Sequence, residues 1–411
     1  AAAATAAVAG PGHGPATLRL ERVVLVMRHG VRPPTKAVVA PAGMTDKPWP
    51  QWDVDYGQLT RHGHDATVLL GRWDRAHWAQ QGLLTAATCP DANALDVEAS
   101  YKQRTRDTGK AWLEGFAPDC KVPIEFPQSK QLDVVFHPFD AGAMQIDPAD
   151  GLKAAEAALP AGGIAELVRQ NAALFGLLDH AMGCCAPTVC ESVGAPSPCG
   201  SALIPAGLEA GDGDGPSVGM PFSMASTVSQ TFLMEYLDGK PMQDVAWGRL
   251  SREEISQLLE FHPIKYRFEE RPAYVAYRAA SPLVRRLLEA MQPGRPTVTA
   301  LMGHDTNIAD IGGYFDLHWQ MPQYPRDDPP PAGALGFEVY ADDQGGQFVK
   351  AFYRAQSMDQ IRGLEALTAS NAPAFEYLPI PGCSAPCRLA DFDALARSHL
   401  VASPPAAATA K

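Results

Sequence analysis

The sequence predicts an α/β protein with a mostly parallel sheet flanked by helices and a large, mainly α-helical insertion domain. Residues 23–27 and 297–302 are apolar runs rich in β-branched side chains, which is typical of strands buried on both faces of a parallel sheet. Helical periodicity follows each run and also fills the long segment between them. This order of elements indicates an α/β unit whose chain is interrupted by a helical block.

The remaining elements are predicted from apolar periodicity. Weaker strand patterns occur at residues 95–99, 335–340 and 347–353. Helical patterns occur at about 63–81, 105–116, 150–185, 223–237, 251–259, 273–291 and 306–315. A Gly/Ser/Pro-rich loop at about 191–216 divides the central helical block, and no internal repeat is visible.

A chain of 411 residues is long for a single core, so two domains are expected. Residues 15–137 and 292–402 are predicted to form a discontinuous α/β catalytic domain, and residues 138–291 the helical insertion domain. Residues 1–14 and 403–411 are rich in Ala, Gly and Pro without periodicity, so we expect a flexible leader and tail. The leader is interpreted as the start of a mature chain whose signal peptide has been removed.

The charge balance excludes nucleic acid as a partner, because 46 acidic and 34 basic residues leave a net charge of −12. No apolar run approaches the length needed to cross a membrane. If the substrate is an anion, a local concentration of Arg and Lys has to attract it.

Eight cysteines lie in three clusters, several of them in Pro/Gly-rich loops. An even number in this arrangement favours disulfides, and disulfides indicate the periplasm or the cell exterior. Zinc ligation is the alternative, since cysteine clusters also bind metal. However, the sequence contains no Cys-x-x-Cys pair and no His at zinc-finger spacing.

The strongest functional signal is Arg28-His29-Gly30-Val31-Arg32-Pro33-Pro34-Thr35-Lys36, which follows the first buried strand. Residues 22–45 contain four cationic side chains and no Asp or Glu. Guanidinium groups match phosphate oxygens in bidentate geometry. A histidine among these charges has its pKa depressed, so its imidazole stays neutral and nucleophilic in acid.

A second Arg-His-Gly occurs at Arg61-His62-Gly63. It follows a polar, turn-like segment instead of an apolar strand, and it lacks the trailing Arg and prolines. We therefore expect it to begin a helix and to have no catalytic role.

Two further charged loops complete the predicted site. Residues 101–106 form a second cationic cluster at the start of a helix, where free backbone N–H groups also favour an anion. The pair His304-Asp305 joins the second buried strand to a helix. Ligands of open α/β sheets gather at the carboxyl ends of strands. His304 can therefore hold a phosphate oxygen, while Asp305 supplies the proton that a departing alkoxide needs.

These motifs resemble those of the histidine acid phosphatases, the high-molecular-weight branch of the histidine phosphatase superfamily. The resemblance is carried by residues 28–34 and by His304-Asp305, and it extends from about Leu18 to His399. Supporting segments are found at residues 104–109, 117–120, 246–249 and 304–313. Within the family, the chain is most similar to the bacterial periplasmic phytases and glucose-1-phosphatases.

The resemblance implies a role for each motif residue. His29 is the nucleophile that forms a phosphohistidine, and Asp305 protonates the leaving oxygen. The phosphoryl group is bound by Arg28, Arg32, Arg104 and His304. Neither a metal nor another cofactor is implied, because Arg and His supply the positive charge. The implied disulfides are Cys89–Cys120 and Cys383–Cys387, and the pairing of the other four cysteines stays open.

The substrate expected from the resemblance is a small phosphate ester, either phytate or a sugar phosphate. Thr35 and Lys36 follow the first motif as in the phytases, and Arg271 is a further candidate for a substrate contact. Residues 239–248 look more like the glucose-1-phosphatases. We expect phytase activity, with a glucose-1-phosphatase or a broad acid phosphatase as the alternative, in a monomer or weak dimer. A mutase-like enzyme would lack the helical insertion and the late His-Asp pair.

Overall fold

The computed structural model describes residues 18–84, 89, 94–118 and 120–403. Its strands are β1 (Arg19–Arg28), β2 (Leu95–Ala99), β3 (Ile124–Glu125), β4 (Leu208–Glu209), β5 (Ser217–Val218), β6 (Val298–Gly303), β7 (Ala334–Ala341), β8 (Gln347–Ala355) and β9 (Ala374–Leu378). The first α-helices are α1 (Arg61–Gln80), α2 (Gln103–Phe116), α3 (Pro148–Glu156), α4 (Gly163–Gln170), α5 (Ala172–Met182), α6 (Pro187–Ser192) and α7 (Phe222–Leu237). The others are α8 (Arg252–Leu258), α9 (Phe261–Glu269), α10 (Ala273–Ala290), α11 (Asp305–Tyr314), α12 (Met358–Arg362) and α13 (Leu389–Ser398). Short 3₁₀ turns occupy Lys130–Leu132, Ser201–Leu203 and Val245–Gly248.

Seven strands form one sheet in the order β3-β2-β6-β1-β7-β8-β9. Strands β3, β2, β6 and β1 pair in parallel, and β7, β8 and β9 extend the sheet by antiparallel pairing. Strand β8 therefore points the same way as the parallel set, which makes the sheet mixed but mostly parallel. The predicted fold class is confirmed, although the antiparallel side was not foreseen.

Strand β1 lies at the centre of the sheet and separates two hydrophobic cores. Val23, Leu25 and Met27 pack into one core with α1 and α2, whereas Val24 and Val26 face the other core. Successive side chains of a strand point to opposite faces, so a strand covered on both sides has to be apolar throughout. This explains the continuous apolar run of the sequence.

The segment between β3 and β6 is mainly helical, as predicted, and contains one small hairpin of β4 and β5. Buried side chains of α5, α7, α8 and α9 belong to the same hydrophobic core as one face of the sheet. Helix α10, the last of this segment, packs against α11. The proposed division into domains at residues 138 and 291 stays a prediction. The predicted leader, and the tail beyond Ser403, lie outside the described residues.

All eight cysteines are paired in disulfides. Two of the bonds, Cys89–Cys120 and Cys383–Cys387, are those implied by the resemblance. The four cysteines whose pairing was open form Cys184–Cys185 and Cys190–Cys199. A cysteine in a disulfide has no thiolate to offer to zinc, so the structure corresponds to the disulfide interpretation. None of the helices in the described ranges is both long and apolar enough to cross a membrane.

Candidate active site

The two histidine motifs meet because they follow neighbouring parallel strands. Arg28 at the end of β1 is paired in register with Gly303 at the end of β6, and the backbone N–H of His29 donates to the Gly303 carbonyl at 3.1 Å. The ring centroids of His29 and His304 are 5.7 Å apart. Strand β2 lies on the other side of β6, and α2, which carries Arg104, begins shortly after it. Three sequence motifs thus converge at one edge of the sheet.

His29 is 1% exposed and is held in a single tautomer. Its Nδ1 lies 2.9 Å from the Gly30 carbonyl oxygen, which can only accept a hydrogen bond. The proton is therefore on Nδ1, and Nε2 keeps its lone pair, 3.4 Å from Nε of Arg32. Burial lowers the pKa of His29 well below its usual value, and the charges of Arg104, Arg32 and Arg28 lower it further. Both effects favour the neutral imidazole, which is the direction that the sequence predicted.

Gly30 is required by the packing of α1 against the loop that follows β1. A Cβ atom at this position would lie 2.9 Å from Leu59 Cδ1 and 3.1 Å from Thr67 Oγ1. The Gly30 N–H also donates to Thr108 Oγ1 of α2 at 3.0 Å. A larger residue would push the loop away from both helices and would displace His29.

The second Arg-His-Gly begins helix α1, as predicted. The Thr60 hydroxyl caps the helix by accepting from the Gly63 N–H at 3.0 Å. His62 Nε2 lies 2.8 Å from the carbonyl oxygen of Ile361. This copy of the motif does not line the cleft beside His29.

Arg28 is fully buried at the end of β1, and its guanidinium contacts three separate parts of the chain. Its Nη1 donates to the Pro329 carbonyl at 2.6 Å, and its Nη2 lies 2.9 Å from Gln230 Oε1 and 2.8 Å from Asp305 Oδ2. Burial alone raises the pKa of Asp305. The charge of Arg28, followed by the hydrogen bond and charge of His262, outweighs burial and leaves the pKa well below its usual range. The free site therefore favours Asp305 as a carboxylate, so the ordinary pKa of an aspartate does not account for the expected acid activity.

Arg32 and Arg104 supply further positive charge around His29. Burial, followed by repulsion from Arg104, lowers the pKa of Arg32 to about 9, so it is still charged in acid. Within the described part of the chain, Nε of Arg28, Nε of Arg104 and Nε2 of Gln230 are buried donors without an acceptor. Buried donors normally have a partner, so these three indicate that an anionic ligand completes the site.

His304 is oriented from behind by a chain of hydrogen bonds. Arg104 Nη2 lies 3.4 Å from its Nδ1, which must accept, so Nε2 carries the proton. That Nε2 lies 3.1 Å from Ser100 Oγ, and the Ser100 hydroxyl donates to Asp133 Oδ2 at 2.7 Å. His137 Nε2 lies 3.3 Å from the same nitrogen. Burial, followed by Arg104, lowers the pKa of His304 well below its usual value.

A cleft of about 420 Å³ opens above these groups, a size usual for small-molecule sites. The residues on its walls include Arg32, Thr35, Lys36, His262, Lys265 and Asp305, which can bind an anion or transfer a proton. Thr35 and Lys36 thus line the cleft, and their contact with substrate stays a prediction. Lys265 is held by an ion pair with Glu269, one turn further along α9.

Arg271 does not line the cleft. Its Nη2 donates to the Leu317 carbonyl at 2.9 Å, and its guanidinium lies 5.7 Å from the centroid of the Trp319 ring. Sequence reasoning instead missed His262 and Lys265 of α9. No local motif surrounds these two residues, and only tertiary packing, in which α9 lies against α7, brings them to the site.

A buried ion pair joins β8 to α1 and is linked to the backbone of His29. Arg354 of β8 donates to Asp74 of α1 through Nε at 2.9 Å and Nη2 at 2.6 Å, and both side chains are fully buried. Trp112 Nε1 donates to the same carboxylate at 2.8 Å. Arg354 also donates to the Ala332 carbonyl at 2.7 Å, and the Ala332 N–H donates to the carbonyl of His29 at 3.1 Å.

A neutral, buried histidine among arginines at the carboxyl ends of parallel strands defines a phosphate-handling α/β enzyme. Residues 19–155 match the Histidine phosphatase superfamily (branch 2). The phytase AppA of Escherichia coli (strain K12) is 30% identical over 382 residues, which are 89% of this chain and 87% of that protein. The glucose-1-phosphatase of Salmonella typhimurium (strain LT2) is 27% identical over 385 residues, 90% of this chain and 89% of that protein.

Among solved structures, the Hafnia alvei phytase in complex with myo-inositol hexakis sulphate superposes with a TM-score of 0.85 at 31% identity. The match covers 95% of this chain and 100% of that chain. This chain belongs to branch 2 of the histidine phosphatase superfamily. It is a phosphoric monoester hydrolase.

Proposed function

We propose that this protein is a metal-independent acid phytase that hydrolyses myo-inositol hexakisphosphate through a phosphohistidine intermediate. The observation that carries the proposal is the state of His29. Its Nε2 is unprotonated and accepts from Arg32 Nε at 3.4 Å, its Nδ1 donates to the Gly30 carbonyl, and its pKa is lowered by burial and by the surrounding arginines. A nucleophile that stays unprotonated in acid suits a reaction that also needs an acid.

In the first half-reaction, His29 Nε2 attacks phosphorus, and the bond from phosphorus to the ester oxygen breaks. Arg28, Arg32, Arg104 and His304 bind the three non-bridging oxygens and stabilise the charge of the transition state. The buried guanidinium donors that lack acceptors in the described residues provide hydrogen bonds for this purpose. Because these side chains supply the positive charge, the proposed chemistry needs no metal.

Asp305 delivers the proton to the leaving oxygen. Its pKa is low in the free site because Arg28 and His262 stabilise the carboxylate. A bound phosphate group competes for Arg28 and adds negative charge nearby, which raises the proton affinity of the carboxyl. In the second half-reaction the carboxylate accepts a proton from water. This water attacks the phosphohistidine and releases phosphate, so that the acid is restored.

Cations in the cleft favour a polyanionic substrate. Lys36 follows the first motif and Lys265 comes from α9, so two separate elements place ammonium groups in the cleft that holds Asp305. Phosphate groups next to the one being cleaved can pair with these cations. The likeness to phytases, one of them in complex with a hexakis-sulphate analogue of phytate, supports this substrate class.

Glucose 1-phosphate is the second candidate substrate, because glucose-1-phosphatases are also among the relatives at similar coverage. We further propose export to the periplasm or the cell exterior, since four disulfides need an oxidising compartment. The expectation of a monomer or weak dimer stays a prediction.

The decisive experiment measures phosphate release from phytate and from glucose 1-phosphate at about pH 5 and about pH 7, with EDTA present. The proposal expects faster release from phytate in acid, no effect of EDTA, and no activity in His29→Ala. His62→Ala is the matched control, because it alters the other Arg-His-Gly and should keep full activity. Preference for glucose 1-phosphate would change the substrate only, whereas an active His29→Ala would overturn the mechanism.

A further inference from the structure

His262 lies between two carboxylates on the wall of the cleft. Its Nδ1 is 2.6 Å from Asp328 Oδ1, and its Nε2 is 3.6 Å from Asp305 Oδ2. The imidazole is almost completely buried and Asp328 is fully buried. Only Asp305 and His262 of the three line the cleft, so Asp328 acts from behind.

The short contact with Asp328 determines which nitrogen of His262 carries a proton. A buried carboxylate can only accept, so the 2.6 Å contact requires a proton on Nδ1. Nε2 is then the basic nitrogen, and it faces Oδ2 of Asp305. At 3.6 Å the two atoms are within ion-pair range, so a proton on either of them makes the contact attractive. The geometry therefore places a basic nitrogen where it can exchange a proton with the proposed general acid.

Aromatic and charged groups surround His262. The ring of Tyr266 lies beside it with centroids 4.4 Å apart, and Arg28 lies beyond Asp305, 2.8 Å from Oδ2. Oδ2 of Asp328 has no hydrogen-bond partner within the ranges that the structure covers, so its negative charge is not neutralised by a second donor. Glu260 and Lys265 are the other charged groups near this end of α9. His262 is therefore the imidazole that links the two carboxylates.

We propose that His262, oriented by Asp328, is a positioning residue that holds the catalytic proton next to Asp305. This inference rests on the proposed role of Asp305 as general acid. In the resting site the pair of His262 and Asp305 holds one proton. When a phosphate ester binds, the proton is held on Asp305 and passes to the leaving oxygen as the ester bond breaks. The water that hydrolyses the phosphohistidine returns one proton to the pair, so protons balance over a turnover.

The chain contains a matched control for this arrangement. His318 Nδ1 lies 2.7 Å from Oδ2 of Asp327, the neighbour of Asp328, so the local His-Asp geometry is nearly the same. His318 is 39% exposed at its side chain and does not line the cleft. His318→Asn should therefore remove a histidine–aspartate contact without affecting the proton of Asp305.

The test compares Asp328→Asn, His262→Asn and His318→Asn on two substrates whose leaving groups differ in their need for a proton. Glycerol 2-phosphate releases an alkoxide that must be protonated, whereas p-nitrophenyl phosphate releases a stable phenolate. We expect Asp328→Asn and His262→Asn to lower kcat for glycerol 2-phosphate by about tenfold to a hundredfold, while kcat for p-nitrophenyl phosphate stays within about twofold.

Equal losses on both substrates, or no loss on either, would overturn the inference. Thermal melting checks that each variant is folded. If Asp328→Asn does not fold, His262→Asn on the cleft wall gives the same two-substrate readout. His29→Ala distinguishes a failure of the proposed function from a failure of this inference. Its activity tests the phosphohistidine mechanism, whereas the leaving-group dependence of the His262 variants tests only the role of His262.

Discussion

Arg28 Nη2 and Asp305 Oδ2 lie 2.8 Å apart, which joins the loop that follows β1 to the first residue of α11. This ion pair keeps the proposed acid ionised in the free site, and it presents a guanidinium that a phosphate can take over. The contact thus keeps Asp305 ionised before substrate binds. When a phosphate pairs with Arg28, Asp305 loses this stabilisation of its charge and can hold a proton.

Arg28→Lys should lower kcat/KM for any phosphate ester by about a hundredfold, because an ammonium cannot reproduce the forked donors that contact Gln230, Asp305 and the phosphate. Steady-state kinetics measure the effect. The matched control is Arg61→Lys, which alters the arginine of the second Arg-His-Gly and only an exposed ion pair with Asp65. Equal kinetics for Arg28→Lys and the unmodified protein would contradict the assignment of Arg28 to the phosphate site.

Lys265→Gln should raise KM for inositol hexakisphosphate by about tenfold, corresponding to one lost charge contact of about 1.4 kcal/mol. KM for p-nitrophenyl phosphate should change by less than about twofold, since its single phosphate sits at His29. Lys110→Gln is the control, because Lys110 also pairs with an acid on its own helix but is exposed and outside the cleft. An equal rise for both substrates would show that Lys265 does not recognise additional phosphates.

Asp74→Ala should lower the free energy of unfolding by about 3–5 kcal/mol, because it leaves the buried Arg354 without its carboxylate. Chemical denaturation measures the loss. Asp393→Ala removes a carboxylate from an exposed pair with Arg397 one turn away and should cost less than about 1 kcal/mol. Similar losses for the two variants would mean that the buried pair contributes little to the fold.

Glu235 should make the protein less stable as the pH rises. Burial raises the pKa of Glu235 from 4.5 to about 8, so the folded state binds a proton that the unfolded state has released. Its contribution is complete below pH 4.5 and is lost as the pH rises through about 8, at roughly 1.4 kcal/mol per pH unit within that window.

Thermal melting between about pH 5 and pH 8 checks this slope, and Glu235→Gln should reduce it. The exposed Glu253, whose hydrogen bond with Arg252 lowers its pKa, provides the control Glu253→Gln. A slope that survives in Glu235→Gln would assign the pH dependence to other groups, with the buried pair of Glu270 and Asp310 the first to examine.

Local sequence patterns predicted the fold class and most of the proposed site. A strand buried on both faces of a parallel sheet is apolar at every position, so the strands at 23–27 and 297–302 could be recognised in the sequence. In the structure these two strands are neighbours in the sheet, and Arg28 lies opposite Gly303. Because functional loops follow the carboxyl ends of such strands, His29 and His304 could be placed together before the structure was known. The two Arg-His-Gly segments could be separated because only one follows a buried strand.

Only the tertiary structure decided which distant side chains complete the cleft. His262 and Lys265 lie on a helix without a motif, and Arg271, two residues past the end of that helix, is directed to Leu317 instead. The antiparallel pairing of β7 and β8, the strand β9 and the partner of each central cysteine were likewise not evident. The physical reason is that strand periodicity and charge clusters are local properties of the chain, whereas the contact of His262 with Asp305 and Asp328 depends on how separate elements pack.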